Sequence, residues 1–193
     1  MSLSNRSDTP SRLATGAAGG VVAYLLGYLF VYVTQRGSVE DQLAGFNLIA
    51  DLLGSDPIPA WQAVGWVFYN AHFVATEVPS PVGGVRSENF IAAADDGTLT
   101  ALYLVPLLLL LAAGMAVGRF ANATEPADGA RAGGFVVVGY LPLAVVGAIL
   151  FGYSVGDGTI APDLLTAVLL AGIVYPAALG ALGGVASTYL GSD

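Results

Sequence analysis

Four long stretches of this chain contain no charged residue: residues 13–34, 98–118, 132–155 and 164–190. A helix of about 20 residues crosses a ~30 Å hydrocarbon layer. A single charge at its centre would cost roughly 2.5–3.5 kcal/mol on insertion scales. The pattern therefore predicts a chain that lives in a membrane. It also removes the usual pointer to an ion path or proton relay, an ionisable residue within a span.

Composition agrees. Of 193 residues, 55% are hydrophobic and only 10% charged, whereas a soluble domain carries about 25% charged residues. The net charge is −8, and all six basic residues are arginines, with no lysine and no cysteine. Acidic loops without lysine suit a high-salt environment. Without cysteine there is no disulfide framework and no thiolate metal site. The acidic balance argues against nucleic-acid binding, which needs a basic patch.

Arginine placement sets the expected topology. Residues 1–12 form a cytoplasmic segment carrying Arg6 and Arg12, and 13–34 an uncleaved first span, too long for a signal peptide. Residues 35–97 then form an extracellular acidic segment. The second span is 98–120, followed by a cytoplasmic loop at 121–131. The third span is 132–155, an extracellular loop follows at 156–163, and the fourth span is 164–190. Four arginines (Arg6, Arg12, Arg119, Arg131) then lie inside against two outside (Arg36, Arg86), as the positive-inside rule requires. Both termini are expected in the cytoplasm. A fifth span over 58–78 would spoil this count and carries Pro59, Gln62, Asn70, His72 and Glu77.

The acidic segment holds Glu40, Asp41, Asp51, Asp56, Glu77, Glu88, Asp95 and Asp96. Ser38 and Asp41 give an S-x-x-D capping pattern. Val39, Leu43, Phe46, Ala50 and Leu53 follow with helical spacing, so a helix is expected over 38–53. A second, over 60–76, is aromatic-rich: Trp61, Trp66, Phe68, Tyr69 and Phe73. Indole and phenol rings favour the membrane interface. Together these predict an outer cap of two amphipathic, interfacial helices, with turns at 79–84 and 95–97. The fold class is all-α: a polytopic membrane bundle of four transmembrane helices under that cap.

Small residues recur at G-x-x-x-G spacing at Gly16/Gly20, Gly114/Gly118, Gly129/Gly133, Gly152/Gly156 and Gly180/Gly184. Such pairs let helix backbones approach closely where no water drives association. We take Gly16, Gly20, Gly114, Gly118, Gly180 and Gly184 as candidate packing positions. Pro106, Pro142 and Pro176 each follow a nearby tyrosine, Tyr103, Tyr140 and Tyr175. Three kinked helices around a polar path, or ordinary packing, both fit. Tyr24, Tyr28 and Tyr32 are four apart and share one helix face.

His72 is the only histidine. A metal site needs three or four ligands at set spacing, and a general base needs a cleft and an orienting carboxylate; neither pattern surrounds it. We therefore expect no catalytic residue, no metal and no cofactor. Trp61, Trp66, Tyr69, Asn70 and His72 remain the candidate partner or ligand surface. No phosphate loop, nucleophile elbow or zinc motif occurs. The glycosylation triplets at Asn5 and Asn122 fall on the expected cytoplasmic side.

Residues 66–73, 102–107 and 170–176 resemble those of small uncharacterised membrane proteins of halophilic archaea. That resemblance implies a membrane location and a source, and transfers no activity. The function expected from the residues is a structural or accessory subunit. It would bind the lipid bilayer and another membrane protein or a second copy of itself. A transporter or channel for a neutral or apolar solute is the alternative, and an intramembrane enzyme using His72 the third.

Overall fold

The structure, a computed structural model, describes residues 8–52, 56–80, 83–94 and 97–190. Asn5, Arg6, Leu53, Pro81, Val82, Asp95 and Asp96, which enter the expectations above, lie outside the described residues. Among the described residues, four helices are long and apolar enough to cross a membrane: Ser11–Leu48, Leu99–Phe120, Pro126–Leu150 and Leu164–Tyr189.

The first lies within α1 (Asp8–Leu52), which runs unbroken for 45 residues. The helix expected to start anew at Ser38 is instead its continuation. No proline falls between Thr34 and Leu52 to stop it, and Arg36 bridges Glu40 at 2.7 Å one turn on. Ser38 does not cap; its hydroxyl accepts from the Gln42 side chain.

Helix α2 (Ala60–Asn70) is shorter than the 60–76 helix expected, and it does not lie on a surface. Every residue from Gln62 to Asn70 is buried. Next come strands β1 (Thr76–Pro79) and β2 (Val85–Glu88), a 3-10 turn (Thr98–Tyr103) and α3 (Leu104–Phe120). Helix α4 (Pro126–Gly134) starts inside the expected 121–131 loop and leads through Phe135 into α5 (Val136–Leu150). The third span thus ends at Leu150, and Tyr153 belongs to a hairpin of β3 (Tyr153–Val155) and β4 (Gly158–Pro162). Gly156, at φ +57°, leads the two-residue turn, a place where glycine costs no strain. The last rod is α6 (Leu164–Thr166), a π-helical stretch (Ala167–Val174) and α7 (Tyr175–Tyr189). The Asp163 carboxylate caps its start by accepting from the Thr166 N–H at 2.9 Å.

The all-α expectation therefore needs correcting. The four strands form one antiparallel sheet in the order β2-β1-β4-β3. β1 joins the two hairpins by pairing Thr76 with Pro162 and Glu77 with Ala161. Each hairpin alone is marginal, and pairing them gives the four-strand sheet that can persist. The sheet covers the end of the bundle where the first and third rods hand over to the next. At the opposite end, Ser11 and Arg12 of α1 share a cavity with Phe120, the last residue of α3, and with Asn122 just beyond it. Gly129 there faces Gly184 and Thr188, so α1 begins and α7 ends at the same end.

Backbone contact holds the rods together. A Cβ on Gly114 would stand 2.1 Å from the Gly180 carbonyl oxygen, and one on Gly133 the same distance from it on the other side. Helix α7 is thus clasped between α3 and α4. Gly118 meets the Ser187 hydroxyl, and Gly129 and Gly184 face each other's carbonyls. On the α1–α5 side, a Cβ on Gly16 would strike Phe135 and one on Gly20 the Val136 carbonyl. Large apolar side chains point the other way: Leu25, Leu29, Val33, Leu108, Ile149 and Leu182 are all exposed. Small groups inside and leucines outside invert the pattern of a water-soluble bundle.

Candidate functional site

Helix α2 starts at the sheet end and runs down into the bundle against α5. Near its start the Gln62 amide donates to the carbonyls of Leu150 and Gly152, at 3.3 and 2.7 Å. One turn on, the Trp66 indole donates to the Phe151 carbonyl at 2.7 Å. Tyr69 then donates to the Ala144 carbonyl, and His72 Nε2 lies 2.7 Å from the Tyr140 hydroxyl. As the chain advances from 62 to 72, its partners on α5 retreat from Leu150 to Tyr140, ten residues of that helix. Ten helical residues correspond to about 15 Å of descent. The chain then turns and climbs back as β1. Residues 60–79 thus form a helix that runs into the bundle and a strand that leads back out of it, and α2 is buried where a surface cap was expected.

The tip of such a segment buries a helix C-terminus, whose carbonyls must find donors. Phe73, at φ +59°, holds the left-handed position that closes a Schellman motif: Val74 N–H donates to Tyr69 O and Phe73 N–H to Asn70 O. The Val67 carbonyl accepts from Ala71 N–H. The Phe68 carbonyl would be left over, and His72 Nδ1 donates to it at 2.9 Å. With Nδ1 protonated, Nε2 of the neutral ring accepts from the Tyr140 hydroxyl. Asn70 binds the returning strand. Its amide donates to Val74 O at 2.8 Å and Thr76 Oγ1 at 3.2 Å, and its Oδ1 accepts from Phe90 N–H at 2.8 Å. Among the described residues, no buried side-chain nitrogen or oxygen lacks a partner.

The residues expected as a partner or ligand surface are therefore placed differently. Trp66, Tyr69, Asn70 and His72 are all buried, and only Trp61 is exposed. The reason is polar: each inward-facing group meets a backbone carbonyl or hydroxyl that needs it. The tyrosine stripe of α1 docks this segment. Tyr24 shares a hydrogen bond with the Tyr69 hydroxyl at 3.2 Å, and Tyr28 donates to the Trp61 carbonyl at 3.0 Å. The absent Cβ of Gly147 leaves room for the Tyr24 and Tyr69 hydroxyls.

The three tyrosines that precede the prolines converge on the tip. Tyr140 bonds His72, Tyr175 packs its ring 5.5 Å from the imidazole, and Tyr103 stacks on Phe73 at 4.4 Å. Of the prolines themselves, Pro106 and Pro176 are buried and Pro142 is exposed. None of the three lines the α1–α3 groove or the cavity between α1 and α2. Among the described residues no group of three or more histidine, aspartate or glutamate side chains is placed to hold a metal. Both His72 nitrogens are engaged, Nδ1 by the Phe68 carbonyl and Nε2 by the Tyr140 hydroxyl.

Open space lies at the periphery. A groove of about 820 Å³ runs between α1 and α3, walled by Leu26, Leu29, Phe30, Leu104, Val105 and Leu108. A second cavity of about 380 Å³ lies between α1, α2 and the residues Phe90, Ala93, Ala94 and Leu99, with Ser38, Gln42 and Trp66 also in its lining. Gln35 belongs to both walls. Nothing in the residue pattern of α1 marks this junction except the change from leucines to amides at Thr34-Gln35.

Comparison with curated proteins and with solved structures finds no match. The profile of a family of unknown function (DUF7978) matches residues 2–191, and the chain belongs to that family.

Proposed function

We propose that this chain is a multi-pass membrane protein with both termini in the cytoplasm. It acts as a non-catalytic structural or accessory subunit through its outward apolar face, binding lipid or another membrane protein. The observation that carries this reading is the contrast between inside and outside. The bundle interior is closed by glycine-to-backbone contacts and a fully paired polar tip. A groove of about 820 Å³ opens instead on the apolar flank, between α1 and α3. A solute carrier needs its polar groups free to meet a solute, and half-helix ends in carriers offer unpaired backbone. Here the α2 end is capped by His72 and by its own turn. The arginine asymmetry supports the sidedness, and the descent of α2 supports a mid-bilayer position for His72.

The chain has no cysteine, which makes single-cysteine probing clean. Ala171→Cys, in the π-helical stretch and buried, should resist a water-soluble maleimide in proteoliposomes. Leu29→Cys should resist it too, but react with a maleimide dissolved in the bilayer. Rapid aqueous labelling at 171 would reveal a water path and put the transport reading first.

A further inference from the structure

We infer that the chain holds a lipid with one long apolar chain and a compact, uncharged polar head. Its tail would lie in the α1–α3 groove and its head in the chamber between α1 and α2. This rests on the membrane reading above and names the ligand class for it. The groove wall on α1 extends from Leu26 to Gln35. Nine helical residues rise about 14 Å, roughly the depth of one leaflet of a ~30 Å hydrocarbon layer. That matches the reach of one acyl or prenyl chain from the middle of the bilayer to its surface.

At the upper end the lining changes. Gln35 closes the groove and also forms part of the chamber, where Ser38 and Gln42 add a hydroxyl and a second amide. Trp66 and Phe90 supply flat apolar walls. Among the described residues, the side chains lining the chamber carry no charge. Arg36 and Glu40, on the same stretch of α1, pair with each other at 2.7 Å and line neither cavity. A phosphate or carboxylate head would meet no cation there, whereas hydroxyl or carbonyl groups would find amide donors and acceptors. The chamber also sits off the line of the groove, against α2 instead of α3. A straight helix from a second copy lying in the groove would leave the chamber empty. A flexible lipid can bend around Gln35 and fill both.

The test uses the full chain in nanodiscs and a monoacylglycerol with a photoreactive diazirine in its acyl chain. Adducts should concentrate on residues 26–35 and 101–109. Excess unlabelled monoacylglycerol should compete, and palmitate or phosphatidylglycerol should compete poorly. Gln35→Leu should lower labelling roughly three- to tenfold, the worth of a hydrogen bond or two. Leu108→Trp, at a 62% exposed position that tolerates bulk, should abolish labelling in the groove while leaving melting unchanged. Equal labelling of every lipid-facing helix, indifference to Gln35→Leu, or equal competition by the anionic lipids would overturn the inference. So would a crosslinked dimer through these residues in place of lipid adducts. Alkaline carbonate extraction separates the two levels. Release of the chain from membranes would sink the membrane reading and this inference with it. Retention with unselective labelling would sink this inference alone.

Discussion

Gly133→Ala is the sharpest perturbation of this bundle. The added methyl would sit 2.1 Å from the Gly180 carbonyl oxygen and 3.0 Å from the Gly184 Cα, where ordinary contact begins near 3.4 Å. Both neighbours are backbone, so no side chain can rotate away. Helices α4 and α7 must part by upward of about 1 Å, and a gap of that size forfeits up to roughly half the dispersion energy of the contacts it opens. Overpacking of this kind costs about 1–3 kcal/mol by itself. Alanine returns roughly 0.5–1 kcal/mol through its better helix propensity. The net loss should be about 1–2 kcal/mol. The control is one residue away: a Cβ on Gly134 meets nothing within 4 Å. Gly134→Ala should be neutral or up to about 1 kcal/mol more stable. Unfolding by SDS titration in mixed micelles measures both. If the two variants unfold at the same SDS fraction, α7 is not clasped by backbone contact, and something other than close glycine packing holds the bundle together.

Three further outcomes are expected. Tyr140→Phe removes the donor to His72 Nε2 and leaves a buried acceptor unpaired, a loss of about 1–3 kcal/mol in the same titration; an unchanged midpoint would show that the imidazole has another partner. Asn70→Leu strands the Phe90 N–H and the Val74 carbonyl together and should cost upward of about 2 kcal/mol. Protease should then cut residues 73–90 faster, and wild-type resistance would show that Asn70 does not latch the return strand. Reporter fusions at the two ends should both report the cytoplasm, since four crossings return the chain to its starting side; opposite sides would demand an odd number of crossings.

Local hydropathy determines a good deal of this protein. Charge-free runs of about 20 residues mark four membrane-competent helices, because the cost of a buried charge is paid residue by residue and needs no partner to be visible. Asn122 shows the same locality: at φ +50° it closes α3 with a Schellman motif, Ala123 N–H donating to Gly118 O, and asparagine tolerates that conformation by itself. The glycine spacings name positions without saying what meets them. That Gly180 lies between Gly114 and Gly133 follows from where three helices stand. The buried helix α2 and its return strand were least legible. Their aromatic residues with Gln62, Asn70 and His72 read as an interfacial face, because alone those polar groups want water. Inside the bundle they find the Leu150 and Gly152 carbonyls, the Phe90 N–H, the Phe68 carbonyl and the Tyr140 hydroxyl. The sheet was hidden for the same reason: Thr76 and Glu77 pair with Pro162 and Ala161, partners more than eighty residues away. Whether a polar side chain faces lipid, water or protein depends on the donors and acceptors brought to it, and only the tertiary structure brings them.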